Sequence, residues 1–181
     1  MIETIFTALK NELKTGSSSK GHPFKFCSLA TVDINQKPQQ RTVVLRGISD
    51  HLELSFYTDK RSKKVLEIEK NNTVSVLFYH PEKQIQIIIE GIASIISDSK
   101  IALEQWNSVP EYAHKDYTTT KSPGTPISTP DETVYTNNEN YFCLLKVVPT
   151  RIEYLKLGRE KHTKASFTRV ENTWKGEFLT P

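Results

Sequence analysis

Cysteine is scarce in this chain. Cys27 and Cys143 stand far apart, with no CxxC spacing. That argues against a disulfide framework, and two reduced, buried thiols of a cytoplasmic protein are expected. Glycine is sparse too, at 7 residues. None of them forms GxGxxG or GxxxxGK, so the dinucleotide fingerprint and the P-loop are both missing, as is GxSxG. The histidines, at 22, 51, 80, 114 and 162, never fall at metal-ligand spacing, so surface or packing roles are expected and no metal site. No apolar run approaches membrane-spanning length, the longest being a strand-like stretch around Ile87 to Ile89. The start, MIETIFTALKNELK, lacks the basic opening and apolar run of a signal peptide. A large excess of one charge is absent as well. The 24 basic and 21 acidic residues leave +3, too little to imply nucleic acid, and no aromatic-rich basic face of the single-strand-binding kind is visible.

What is present suits a soluble globular chain, 36% hydrophobic and 25% charged, expected to form one domain over 1–181. Ile2, Ile5, Phe6, Leu9 and Leu13 share one helical face, so the chain opens on an amphipathic helix. TGSSSKGHPF reads as a loop. Strands are expected at FCSLATVDI, QRTVVLRGI and LELSFYT, then at TVSVLFYH and QIQIIIEGIASIIS, with Gly91 marking a bend or bulge. A helix burying Val65, Leu66 and Ile68 lies between the third and fourth, ending at Asn71-Asn72 in a left-handed cap. SDSKIALEQWNSV reads as a helix with a Ser or Asp cap, and PEYAHKDY as a short helix opening on Pro110. Residues 118–140 form a long Thr/Ser/Pro/Asn-rich loop, either a lid or a poorly ordered excursion. YFCLLKVVP and RIEYLKL follow as strands, and the end is a hairpin turning at Glu171-Asn172. About seven strands with short connections and helices at intervals imply a mainly β, α+β fold, an antiparallel barrel with peripheral helices.

FYTDKRSKKVLEIEKNN (56–72) carries a contradiction. It reads as a helix from about Lys60, yet Lys60, Arg61, Lys63 and Lys64 crowd the end where the macrodipole is positive. One reading is a solvated face, as charge runs usually are. The other is a bound anion, held by the free amides, the lysines and the hydroxyls of Thr58 and Ser62. Cations there cost up to roughly 1 kcal/mol each, whereas charge-assisted bonds to a phosphate return about 1.5–3 kcal/mol each. A second basic site, RTVVLR, puts Arg41 and Arg46 on one expected strand at odd separation. They point to opposite faces unless a bulge intervenes. A pair of surface arginines on an edge strand is the bland alternative.

RTVVLRG, FYTDKRSKK, VSVLFYH and QIIIEGIA, in that order, resemble the pyridoxamine 5'-phosphate oxidase family of FMN-binding split barrels. IEYLKL and WKGEFLTP resemble the family's last strands. The resemblance implies an antiparallel FMN-binding split β-barrel working as a homodimer with FMN at the interface. It implies that Arg41 and Lys64 bind the FMN phosphate, with Lys63 and Ser62 at its edge. Tyr57 and Thr58 contact the ribityl-phosphate region, and Thr42 and Val43 lie along the flavin. Arg46 takes the place of a lysine near flavin and substrate. Gln86, with Gln84 as the rival alignment, reaches the flavin from the partner subunit, and Ser122 lies near a further flavin contact.

The substrate half departs from the family. Gln105 and Val109 stand where the oxidase grips its substrate phosphate with tyrosine and arginine, and Leu155 replaces a flavin-stacking tryptophan. His162 and Lys164 align only loosely with its substrate arginine and histidine. The similarity is therefore to a related branch rather than to the oxidase proper. The expectation is an FMN-dependent oxidoreductase of unknown substrate, with no catalytic acid or base assigned. The alternatives are a non-catalytic flavin binder or sensor, or a true pyridoxamine 5'-phosphate oxidase.

Overall fold

The computed structural model describes residues 1–97 and 99–181. The opening amphipathic helix forms as expected, α1 over Ile2–Ser18. Leu9 and Leu13 are buried, and Ile2, Ile5 and Phe6 pack against the same core. Nine strands follow among the described residues, in one antiparallel sheet. They are β1 (Phe26–Val32), β2 (Pro38–Val44), β3 (Gly47–Ile48), β4 (Leu54–Asp59), β5 (Thr73–His80), β6 (Ile85–Ile96), β7 (Phe142–Lys156), β8 (Thr163–Val170) and β9 (Thr173–Leu179). Helix α2 (Lys63–Lys70) lies between β4 and β5, and α3 (Lys100–Ser108) follows β6.

The sheet runs β2-β1-β5-β6-β7-β4-β3, with β8 and β9 added beside β7. Strand β7 makes this possible by dividing one edge. Its first half pairs with β4 and its second half with β8, while its other edge follows β6 throughout. The sheet curls around a core of Phe24, Leu29, Phe56, Phe78, Ile87, Leu145 and their neighbours, without hydrogen bonds closing β2 onto β3. It is the antiparallel split-barrel architecture expected from the sequence.

Several boundaries differ. YFCLLKVVP and RIEYLKL are one strand, because Pro149 faces Gly91 where the β6–β7 register shifts. A bulge tolerates a residue that donates no hydrogen bond. QRTVVLRGI is interrupted after Val44. α2 begins at Lys63 with Ser62 as its cap residue, so Lys60 and Arg61 precede the helix. Asn71 ends it in extended backbone (φ −140°), not in a left-handed cap, and its Oδ1 accepts a hydrogen bond from the Thr73 amide. Of the two caps considered for α3, Ser99 accepts from the Ala102 amide; Asp98 lies outside the described residues. Pro110 is the cap of a 3-10 turn over Glu111–Tyr117. The terminal hairpin turns at Glu171, with φ 53°.

Both cysteines are buried and unpaired, and burial pushes each thiol up to about 12. Two histidines distant in sequence meet in space. His22 Nε2 lies 3.0 Å, and His80 Nε2 3.5 Å, from the Glu12 carboxylate. Yet each ring's Nδ1 accepts a backbone N–H, from Phe24 and Lys83 respectively. A neutral ring so held carries its proton on Nε2, facing Glu12, whereas a metal would need a lone pair at that nitrogen. The trio is thus a hydrogen-bonded strut between α1 and β5.

Burial raises the Glu12 pKa, but Lys83 and then His22 outweigh it, so the net shift is downward. A carboxyl with a lowered folded pKa contributes stability above its unfolded value of about 4.3, lost as pH falls through the folded value. Glu12→Gln is therefore expected to flatten the acid limb of the denaturation midpoint below about pH 4.3. Parallel acid limbs in denaturant titrations of the two proteins would sink this.

Candidate functional site

The residues singled out on β2, β4 and α2 are brought together by the chain's folding. The break after Val44 sends Arg46 back toward β4, where its amide donates to Ser55 O. Arg41 and Arg46 thereby border the same cavity despite their odd spacing. The cavity holds about 300 Å³. Arg41, Thr42, Val43, Arg46, Tyr57, Thr58, Ser62 and Lys64 all line it, joined by Asp59, Asp116, Tyr117 and Pro123. A larger hollow of about 550 Å³ beside Lys70 and Asn72 gathers no such set of cations.

Four further candidates are not brought in. Lys63 is exposed beside the loop at Gly124. Gln86 sits on β6 between Tyr79 and Leu155. Gln84 lies in the turn before β6 with φ 51°. Ser122 bonds Thr125 within its own loop, and only its neighbour Pro123 reaches the cavity.

The charges are arranged in a definite order. Lys64 Nζ donates to Thr58 Oγ1 at 2.9 Å and Ser62 Oγ at 3.1 Å. Burial, and then the adjacent Arg41, hold its pKa below the ordinary lysine value. An ammonium that spends its bonds on hydroxyls retains its charge for a ligand. Arg41 has a carboxylate partner. Its Nη2 donates to Glu67 Oε2 at 2.8 Å, and its Nη1 to Thr31 Oγ1 and Leu29 O. Of the five guanidinium N–H groups, Nε–H and one Nη2–H stay outside these three bonds. Arg46 lies over the Tyr57 ring at 5.2 Å. Burial raises the Tyr117 phenol pKa while Arg46 acts in the opposite sense.

Glu67 is a site residue that the expected burial of Val65, Leu66 and Ile68 does not foretell. Leu66 is instead 57% exposed, and Glu67 is buried. The signal was the i, i+3 spacing of Lys64 and Glu67, which puts both on one helix face.

The 118–140 loop is a folded excursion, pinned by main-chain bonds from Thr120 to Val134 and from Thr136 to Thr118. Arg61 fastens it to the site. Its Nη2 donates to Asp59 at 2.7 Å and to Thr119 O at 2.8 Å, and it stacks 3.2 Å from the Tyr141 ring centroid. The Asp59 hydrogen bond, despite burial, raises the Arg61 pKa. Arg61→Ala is expected to speed tryptic cleavage after Lys121 roughly tenfold, about what losing one charge-assisted bond allows. Mass-resolved limited proteolysis reads it, and an unchanged rate would show the loop is held by other bonds.

The substrate-side positions are differently occupied. Gln105 Oε1 accepts from the Tyr57 hydroxyl at 2.7 Å. Val109 is buried with Tyr117 and Phe142, against Tyr57 and Trp106. Leu155 on β7 pairs with Lys164 on β8, whose ammonium lies 3.3 Å from Glu153. His162 Nδ1 accepts from the Gly158 amide.

Known proteins of similar sequence and fold agree on the family. A pyridoxine/pyridoxamine 5'-phosphate oxidase of Leptospira interrogans is 39% identical over 83 residues. That match spans 46% of this chain but only 38% of the relative's length. The corresponding protein of Shewanella pealeana is 29% identical over 173 residues, covering 85% of this chain and 78% of the relative. A crystal structure described as a pyridoxamine 5'-phosphate oxidase-related, FMN binding protein from Nostoc punctiforme superposes with a TM-score of 0.81 at 25% identity. It covers 97% of this chain and 96% of its own. Residues 4–97, which contain every cationic residue of the cavity, match the family described as pyridoxamine 5'-phosphate oxidase, FMN-binding domain, and the chain belongs to that family.

Proposed function

We propose that the cavity receives the phosphate and ribityl end of FMN and that the chain is an FMN-dependent oxidoreductase acting as a homodimer. The carrying observation is Lys64: a half-buried ammonium bonded to two hydroxyls, beside Arg41 and at the start of α2. These groups fit a dianionic phosphate. Lys64, Arg41 and the cap residue of α2, Ser62, border one cavity, and a helix N-terminus favours anions. Thr58 and Ser62 supply hydroxyls. A volume of about 300 Å³ is at the low end for a small-molecule site of about 300–1,000 Å³. It suits one end of the cofactor, leaving the ring, along Thr42 and Val43, to a surface completed by a second subunit that contributes Gln86. FMN would supply the redox chemistry, and the protein position and field. Arg46, held over Tyr57, keeps a fixed positive charge at the ring end.

Purified protein is expected to be yellow, or to turn yellow on addition of FMN. A colourless protein that takes up none would overturn the reading.

A second reading, a flavin binder without turnover, is favoured by Gln105 and Val109. One is engaged by Tyr57 and the other buried among aromatics, so neither is set to grip a substrate phosphate. Bound FMN that NAD(P)H and candidate substrates fail to cycle would favour it. Oxidation of pyridoxamine 5'-phosphate faster than by free FMN would instead restore the vitamin B6 reaction.

A further inference from the structure

We infer that Glu67 is the resident counter-ion of the anion site, balancing Arg41 in the ligand-free chain and limiting how tightly a phosphate is held. The inference rests on reading the cavity as the phosphate end of an FMN site.

Helix α2 buries Glu67, at 7% exposure, while leaving Leu66 57% exposed. Hydrophobicity alone favours turning Leu66 in beside the buried Val65 and Ile68, and Glu67 out. What turns the carboxylate inward is a pair of donors on the same oxygen. Arg41 Nη2 reaches Glu67 Oε2 at 2.8 Å and Thr31 Oγ1 reaches it at 2.5 Å. Thr31 in turn accepts from Arg41 Nη1, so carboxylate, hydroxyl and guanidinium form a closed triangle. Its position is as informative as its bonds. Arg41 lines the cavity and Glu67 does not. The carboxylate therefore lies behind the guanidinium and acts on a ligand through it, as a positioning residue.

Two consequences follow from charge alone. A half-buried arginine without a counter-charge is costly, and the pair offsets part of that cost when no phosphate is present. Once a phosphate arrives, the same carboxylate repels it. Glu67→Gln keeps the shape and an acceptor for Arg41 but removes the charge. The phosphate then becomes the main counter-charge of Arg41 and is no longer opposed.

The test compares FMN with riboflavin, which lacks the phosphate, by quenching of flavin fluorescence. Glu67→Gln is expected to raise the preference for FMN over riboflavin roughly tenfold, a unit charge removed a few ångströms from the ligand at the effective dielectric of a protein site. Glu67→Asp keeps the charge and is expected to keep the preference within about threefold of wild type. In the ligand-free protein, Glu67→Gln is expected to lower the denaturant midpoint, and adding Arg41→Gln to recover part of the loss. A merely structural glutamate would shift the midpoint without moving the flavin preference. A preference that is unchanged or reduced in Glu67→Gln, with wild type binding FMN normally, overturns this inference alone. A wild type that binds neither flavin overturns the cofactor reading and this inference together.

Discussion

Replacing Arg41 and Lys64 together by alanine is expected to weaken FMN binding by roughly 10²–10⁴-fold, the loss of two charge-assisted contacts of about 1.5–3 kcal/mol each. Riboflavin binding should move far less, because neither residue has a phosphate to meet. The two single variants should not be equal. Lys64 leaves behind Thr58 and Ser62, whose hydroxyls are within 3.3 Å of each other and can satisfy one another. Arg41 leaves behind Glu67, buried and reduced to Thr31 as a partner. Breaking one side of a buried pair costs about 3–5 kcal/mol when the other charge is stranded. In Arg41→Ala that stranded charge is also negative and sits behind the phosphate position. Arg41→Ala should therefore be the worse binder and the less stable protein, Lys64→Ala the milder on both counts. Fluorescence titration with each flavin, with denaturation of the ligand-free proteins, separates the two effects. Retention of FMN by the double variant at wild-type affinity would place the phosphate elsewhere.

The α2 region also shows what a sequence reveals and what it withholds. Its cations, and their conflict with the helix dipole, were legible because charge and helix direction are both local facts. So were TVSVLFYH as a strand and the opening apolar helix, where period alone decides. The partners of the cations were not legible. Asp59 for Arg61 and Glu67 for Arg41 lie inside or beside the same stretch, but which face of an eight-residue helix turns inward is settled by Arg41 on a distant strand. Part of the apparent excess of positive charge is thus answered within the chain, whereas Lys64 is bonded to the hydroxyls of Thr58 and Ser62. The joining of YFCLLKVVP to RIEYLKL was hidden for a related reason. Proline reads locally as a break, and only the facing Gly91 shows that a bulge absorbs it.

That bulge carries a large expected effect on stability. In Gly91→Ala the new Cβ would lie 2.5 Å from Val148 O and 2.9 Å from Val147 Cγ1. The first of these is main chain of the neighbouring strand, so relief requires β6 and β7 to part rather than a side chain to rotate. Loss of the glycine's freedom in the unfolded chain works the other way, by about 0.4–1 kcal/mol. Steric cost should dominate, at roughly 3 kcal/mol or more, the upper part of what overpacking a core brings. Against a total stability of about 5–15 kcal/mol for a domain, that is a large fraction. The damage should also reach the site, because the first half of β7 pairs with Tyr57 and Thr58 on β4. Gly176→Ala is the control. Its Cβ would meet the Phe167 ring and the Ile2 side chain at 2.8–2.9 Å, side chains rather than main chain of a neighbouring strand, and a smaller loss of about 1–2 kcal/mol is expected. Denaturant midpoints for both variants, with FMN uptake measured alongside, decide the matter. If Gly91→Ala matched Gly176→Ala, the β6–β7 register would have to be free to move its bulge, and Pro149 would no longer mark where the long strand bends.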